Sequence, residues 1–377
     1  MTTAASSGIY FFLGNISSHV LHALPLWHEI GGTFVVTSRQ TENELLKYNI
    51  PVVRVDDVPY RWAWPGLRPK RIHEYTSLGA PLKKTYDFLN THARIVIFYE
   101  LFEFEHPEWI DAPKKLFLTH GNMLKSYMTM HPRRLEIVKH YDYMAALSPY
   151  MKAKFIADGV PAQKLIDVGI ARTDELLDAV RYRENIRQAV SSQLAVDSQK
   201  PIILYAPTFW GESSVYTTGL EIAQSIDSDY TLLLRLHPQT PKKIIKQYQI
   251  VAANRPTIHL VDDISPTELL AICDAAIVDR SSIVLELLLL DTPLLFAYDS
   301  DSTEKTPDYE SIQAVVDYSP SIVRGDKALV NQKIAQGLQN GIDSQLWNRT
   351  RKAVWFYPSG GSTKAIAEFV TSQLKND

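Results

Sequence analysis

Cysteine is almost absent from this chain. Cys273 is the only one among 377 residues, which excludes an intramolecular disulfide and any metal site built on cysteine pairs. Its setting in the apolar run "ELLAICDAA" predicts a buried thiol with no chemical role. Long apolar runs are missing too. The longest stretch, Ile283 to Ala297, is interrupted by Glu286, Asp291 and Pro293, and falls short of the roughly 20 apolar residues a bilayer span needs. The opening "MTTAASSGIYFFLG" has no basic start, long apolar core or small-residue cleavage site, so it reads as mature, cytoplasmic sequence. Excess positive charge is lacking as well: 39 Lys and Arg against 42 Asp and Glu leave a net charge of −3, which offers no global attraction for nucleic acid. There are no repeats of about 20 to 50 residues and no low-complexity tracts.

What is present is alternation. The length, with 45% hydrophobic residues, suits roughly two domains with cores of their own. Short β-rich runs ("IYFFLG", "TFVVTS", "RIVIFYE", "KKLFLTH", "YMAALS") alternate with helical spacing, and after the charged segment "DELLDAVRYRENIRQAVSSQLAVDSQKP" a second set follows ("PIILYAP", "YTLLLRLHP", "TIHLV", "AAIVD", "PLLFAY"). Several runs are apolar at nearly every position, as strands covered on both faces are. The pattern predicts an α/β protein of two doubly wound parallel-sheet domains facing a central cleft. Residues 1–180 form the first and 198–345 the second, with segment 346–377 returning to the first.

In such folds ligands bind beyond the carboxyl ends of the strands, and four strand ends carry chemistry. "KKLFLTH" delivers His120 and Gly121; "YAPTFWG" delivers Thr208; "LLLRLHPQT" delivers Arg235 and His237; "AAIVDRSSIVLELLLL" delivers Asp279, Arg280, Ser281 and Ser282 ahead of a helix containing Glu286. Free amides, two hydroxyls and the positive dipole end at that helix start suit an anion such as a phosphate. The same serines also suit ordinary helix capping, and a lone strand-end histidine is more often a packed residue than a functional one.

Other segments are open to two readings. "LGNISSHVLHALPLW" places Gly14 through His19 at a strand-to-helix turn that suits an acceptor. In "YRWAWPGLRPKRIHEY", Arg61, Arg68, Lys70 and Arg71 interleave with Tyr60, Trp62 and Trp64, a composition suited to an anionic polymer or lipid headgroups; the alternative is a loop with packed tryptophans and solvated cations. The "DSD" triplets at 227–229 and 299–301 read as solvated turns rather than metal ligands. The run Glu100, Glu103, Glu105, His106 reads as a polar loop.

Taken in order, "THGNMLK", "GIARTDEL", "YAPTFW", "LRLHP", "DAAIVDRSSIVLELLLLDTPLLFAYD" and "GGSTKAIAEF" resemble the CDP-glycerol glycerophosphotransferase-like enzymes of teichoic acid and capsule polymer synthesis, over about residues 115–370. The resemblance implies the GT-B glycosyltransferase fold. It implies that His120 matches the family's general base in its His-Gly motif, and that His237 matches a second histidine contacting the donor diphosphate. Asp279, Ser281 and Ser282 fall on its Asp-aromatic-Ser-Ser motif, where Arg280 replaces the aromatic; Asn122-Met123 stands where Thr-Pro is typical. A donor site of Gly121, Thr208, Arg235, Asp279, Arg280, Ser281, Ser282 and Glu286 follows.

The implied reaction moves glycerol phosphate or ribitol phosphate from a CDP-activated donor to a hydroxyl of a polymer or lipid-linked acceptor. It requires neither metal nor cofactor and takes place at the inner face of the cytoplasmic membrane, with peripheral contact through the basic aromatic segment. The same diphosphate cradle would also serve a nucleotide-sugar glycosyltransferase. A third alternative is a non-catalytic polymer-binding protein.

Overall fold

A computed structural model describes residues 8–14, 19–56, 82–99, 107–111, 113–119, 132–209, 213–298 and 311–375. The chain divides into two units, Met1–Asp174 with Trp355–Asp377, and Glu175–Val354. Among the described residues, no helix is long and apolar enough to cross a membrane.

The first unit carries β1 (Ile9–Gly14), β2 (Thr33–Val36), β3 (Val52–Arg54), β4 (Ile95–Phe98), β5 (Lys114–Phe117), β6 (Tyr143–Ala146) and β7 (Leu165–Asp167) in one sheet of order β3-β2-β1-β4-β5-β6-β7. Every pairing is parallel. All residues of β1 and β4 are buried, which is why these runs are apolar without alternation. Gly14 ends β1 with φ of 55°, a left-handed conformation that glycine adopts without a steric penalty.

The second unit carries β8 (Ile202–Ala206), β9 (Thr231–Leu234), β10 (Ile258–Leu260), β11 (Ala275–Val278), β12 (Leu294–Tyr298) and β13 (Ser321–Val323), in the order β10-β9-β8-β11-β12-β13 and again all parallel. In each sheet the order reverses beside the first strand of the unit, between β1 and β4 and between β8 and β11. These are the points where crossovers turn to the opposite face and leave a crevice at the carboxyl ends.

Three strands, β3, β7 and β13, were not expected. Each is a three-residue sheet edge with partly exposed side chains, too short and too wet to show an apolar run. The return to the first unit also falls later than residue 346. Helix Ser344–Val354 packs within the second unit against helices Ile283–Leu289 and Gln313–Tyr318, and Arg351 pairs there with Asp291 at 3.0 Å.

Helix Ser362–Lys375 packs on helix Val20–Ile30, and Asp174 accepts the first amides at its start, from Gly361 at 2.8 Å and Thr363 at 2.7 Å. A carboxylate there also complements the positive end of the helix dipole. The hydroxyls of Thr173 and Ser362 meet at 3.2 Å, and Gly169 leaves room for them, since a Cβ would lie 1.9 Å from Ser362 Oγ. The blocks "GIARTDEL" and "GGSTKAIAEF" therefore meet each other and hold the fold together.

At the amino end of the second sheet, Asp274 accepts from Arg183 Nη2 (2.7 Å), Arg187 Nη1 (2.9 Å) and the Ile202 N–H (2.7 Å). Arg187 also reaches the carbonyls of Ser198 (2.8 Å), Ile272 (3.2 Å) and Lys200 (2.7 Å), so the helix Arg183–Leu194 is fastened to the base of β8. Cys273 is buried beside this network, and burial pushes its thiol up to about 12, consistent with an inert side chain.

Candidate functional site at the carboxyl ends of β8, β9 and β11

The three central strands β9, β8 and β11 lie side by side, so the residues that follow them share one edge of the sheet. Asp279 is the residue after β11 and is only 1% exposed. Its Oδ1 accepts the Thr208 N–H at 2.7 Å; its Oδ2 accepts the Ser214 N–H (3.0 Å), Ser214 Oγ (2.9 Å) and Ser213 Oγ (3.0 Å). Burial raises the carboxyl above its usual range, and the four donors oppose that rise. Asp279 thus bridges the switch point between β8 and β11 from inside. Its carboxylate is engaged by protein donors, so its role in the site is positional rather than direct.

Behind it, the Tyr205 and Ser214 hydroxyls meet at 2.8 Å, and Tyr248 Oη donates to the Val215 carbonyl at 3.0 Å. Gly219 is required beside them, because a Cβ would lie 1.9 Å from Tyr205 Oη and 2.5 Å from Tyr248 Oη. Ser213 Oγ also lies 2.6 Å from the Thr208 carbonyl, so its one proton is shared between that carbonyl and Asp279 Oδ2, and Tyr216 Oη donates to the Phe209 carbonyl (2.6 Å). The backbone leaving β8 is therefore held at two successive carbonyls and one amide.

His237 follows β9. Its ring stacks on Phe209 with centroids 4.1 Å apart and planes at 24°, and its Nδ1 accepts the Gln239 N–H at 3.1 Å. Burial, then the neighbouring Arg235 charge, push the imidazole down to about 4. The ring is neutral near pH 7, and an accepting Nδ1 places the proton on Nε2. His237 is therefore built as a hydrogen-bond donor rather than a base. Arg235 donates through Nη1 to the Val261 carbonyl at 2.7 Å and stands 4.0 Å from Asp262.

This environment makes a pH prediction. In the unfolded chain the imidazole takes its proton near 6.5, whereas the folded ring refuses it until about 4. The stability His237 contributes is present above 6.5 and is lost as pH falls through the folded value, because protons bind the unfolded state first. We expect His237→Gln to give a shallower fall of melting temperature between these limits than the natural chain; parallel curves would count against the buried neutral ring.

Arg280, Ser281 and Ser282 follow Asp279 on the same strand end. Arg280 is half-buried and close enough to Tyr298 to oppose the burial that raises this phenol to about 12. Ser281 is half-buried and Ser282 exposed. Ser282 occupies the N-cap position of helix Ile283–Leu289, yet its side chain makes no capping bond, so ordinary capping is not what that hydroxyl does. Glu286 lies one turn into this helix and is half-buried. Thr208, Arg235, His237, Asp279, Arg280, Ser281 and Ser282 thus share one sheet edge.

In the first unit, Gly14 ends β1, while His19 is 4% exposed at the start of helix Val20–Ile30, its ring 6.4 Å from that of His22. His19 is a packed residue. His120, Gly121, the basic aromatic residues Arg61, Trp62, Trp64, Arg68, Lys70 and Arg71, the acidic run 100–106 and the triplet 299–301 lie outside the described residues. Asp227 and Asp229 sit in an exposed turn before β9. Among the described residues no group of His, Cys, Asp or Glu is arranged to hold a metal ion.

Phe209, Ser213, Ser214 and Gln239 are the residues that sequence reading passed over. Phe209 had a readable signal: an aromatic directly after a strand-end threonine, one strand away from the "LHP" histidine.

The chain is 26% identical over 252 residues to the teichoic acid glycerol-phosphate primase of Bacillus subtilis (strain 168), covering 63% of this chain and 60% of that protein. It is 28% identical over 174 residues to the teichoic acid glycerol-phosphate transferase of Staphylococcus aureus (strain NCTC 8325 / PS 47), covering 43% of each. It therefore spans less than two thirds of the length of either. The structure of the wall teichoic acid polymerase TagF superposes with a TM-score of 0.63 at 16% identity, over 98% of this chain and 89% of that one; the fold is α/β of the GT-B type. Residues 71–372 match the family described as CDP-Glycerol:Poly(glycerophosphate) glycerophosphotransferase, and with most of its length inside that match, the chain belongs to this family.

Proposed function

We propose that the protein is a transferase that moves an alditol phosphate, glycerol phosphate or ribitol phosphate, from a CDP-activated donor to a hydroxyl of a cell-surface polymer or lipid-linked acceptor. The observation that carries this reading is His237, a neutral Nε2–H donor on the same sheet edge as Arg235, Arg280, Ser281 and Ser282. That is donor chemistry for phosphate oxygens, with two guanidinium groups to offset their charge.

In this mechanism the acceptor hydroxyl attacks the donor's distal phosphorus. The P–O–P bond breaks, CMP leaves with the bridging oxygen, and His120 takes the hydroxyl proton as the attack develops. His237 and the two serines stabilise charge on the diphosphate, and Asp279 positions their surroundings. The basic aromatic segment 60–71 contacts the anionic acceptor or the headgroups around it.

A donor screen tests the reaction class. Incubation with CDP-glycerol, CDP-ribitol and nucleotide sugars, with released nucleotide and product phosphorus followed by NMR, is expected to show CMP release and a phosphate in the new linkage. A nucleoside diphosphate with a phosphate-free bond would replace this reading by a sugar transferase. The absence of turnover with every donor, alongside retained polymer binding, would replace it by a binding protein.

A further inference from the structure

His237 is held inside the protein at three points, two on its ring and one on its backbone. One face is covered by Phe209 at 4.1 Å; Nδ1 is held by the Gln239 N–H; and the backbone carbonyl accepts the Thr240 N–H at 2.8 Å, closing the turn. Among the described residues, the Nε2 edge of the ring is engaged by no hydrogen bond. Phe209, in turn, is not held by its own packing alone. The residue before it is tied by its amide to Asp279 Oδ1 and by its carbonyl to Ser213 Oγ, while the Phe209 carbonyl is tied to Tyr216 Oη. Asp279 belongs to the end of a different strand and is buried against solvent.

We propose that Phe209 is a positioning residue that, with the Gln239 N–H, fixes His237 in the tautomer bearing its proton on Nε2, and that Asp279 acts on the same ring at one remove by anchoring the segment that carries Phe209. Asp279 is accordingly no donor ligand: it ties β11 to β8 so that an aromatic plane lies where the imidazole needs one. A nearly parallel contact at this separation restrains ring rotation through shape and π overlap, and moving the proton from Nε2 to Nδ1 would set an N–H against the Gln239 N–H, leaving two donors facing each other. Burial of the ring, which disfavours its charged form, works in the same direction. The link to catalysis rests on the reading of His237 as a donor-phosphate ligand; the tautomer does not.

The test uses the full chain labelled with 15N and long-range 1H–15N spectra of its histidine rings, with His237 assigned by its loss in His237→Gln. The natural chain is expected to show a single Nε2–H tautomer for His237. Phe209→Leu is expected to show a mixture of tautomers and about a 10-fold higher KM for the donor with a smaller change in kcat, whereas Phe209→Tyr, which keeps the plane, restores both. Asp279→Asn, with Nδ2 in place of an accepting oxygen, is expected to reproduce the Phe209→Leu spectrum, and the double variant to be no worse than either. A proton on Nδ1 in the natural chain, or a Phe209→Leu spectrum identical to it, would overturn the proposal; both are read without Asp279→Asn should that variant fail to fold. Loss of the tautomer with an unchanged donor KM would leave the positioning role standing and remove His237 from donor binding.

Discussion

Replacing His120 by alanine is expected to lower turnover by about 10²-fold or more while leaving donor binding largely intact. The Leu118 N–H still donates to the Phe98 carbonyl at 2.6 Å, and Thr119 is 2% exposed, so sheet hydrogen bonding continues to two residues before position 120. A base that accepts the acceptor's proton interacts with a species that exists only as the attack proceeds, so its removal is felt in the transition state and not in the ground-state complex. Calorimetric donor affinity and steady-state kcat, measured on the same variant, separate the two. Equal losses in both would make His120 a binding residue and leave the base unassigned. His237 differs in kind, since its fixed neutral form predicts an effect on donor affinity first.

Arg187→Ala is expected to destabilise the second unit by about 1–3 kcal/mol, because it removes the donor shared by three backbone carbonyls and a half-buried carboxylate that keeps Arg183 as its other partner. Arg187 has a side chain 10% exposed and supports four acceptors: Asp274 and the carbonyls of Ser198, Ile272 and Lys200. Their loss leaves polar groups without their donor where water has little access. An exposed pair such as Lys83 with Asp87 is the natural comparison, and its removal is expected to change stability by under about 1 kcal/mol. Urea unfolding of the full chain, followed by one probe in the second unit for Arg187→Ala and one in the first for Lys83→Ala, checks both. A shift for Arg187→Ala no larger than for Lys83→Ala would show the network to be dispensable. The network sits at the amino end of β8, so donor affinity measured well below the unfolding midpoint is expected to hold.

Much of the fold was legible because its central strands are buried on both faces. Burial on two sides leaves an unbroken apolar run, and runs such as "IYFFLG", "PIILYAP" and "AAIVD" are β1, β8 and β11. Of the four sheet edges only β10 was legible: β3, β7 and β13 are three residues long and partly exposed, where selection for apolar side chains is weak. The ordered motif blocks led to the family, which the match over residues 71–372 shows. Two of those blocks, however, owe their pattern to the capping of helix Ser362–Lys375 by Asp174.

By itself, then, the sequence determined the parallel α/β class, the positions of the central strands and the chemistry placed just after them, because these are local properties of hydrophobic spacing and chain direction. Only the tertiary structure decided what that chemistry touches. Thr208 and Asp279 are 71 residues apart and bond because β8 and β11 are neighbours. Phe209 reaches His237 because β8 also neighbours β9. Whether a carboxylate faces a ligand or is filled by buried amides and hydroxyls, and which nitrogen of an imidazole keeps its proton, depend on partners brought together by strand order, and strand order is not written in the spacing of any one segment.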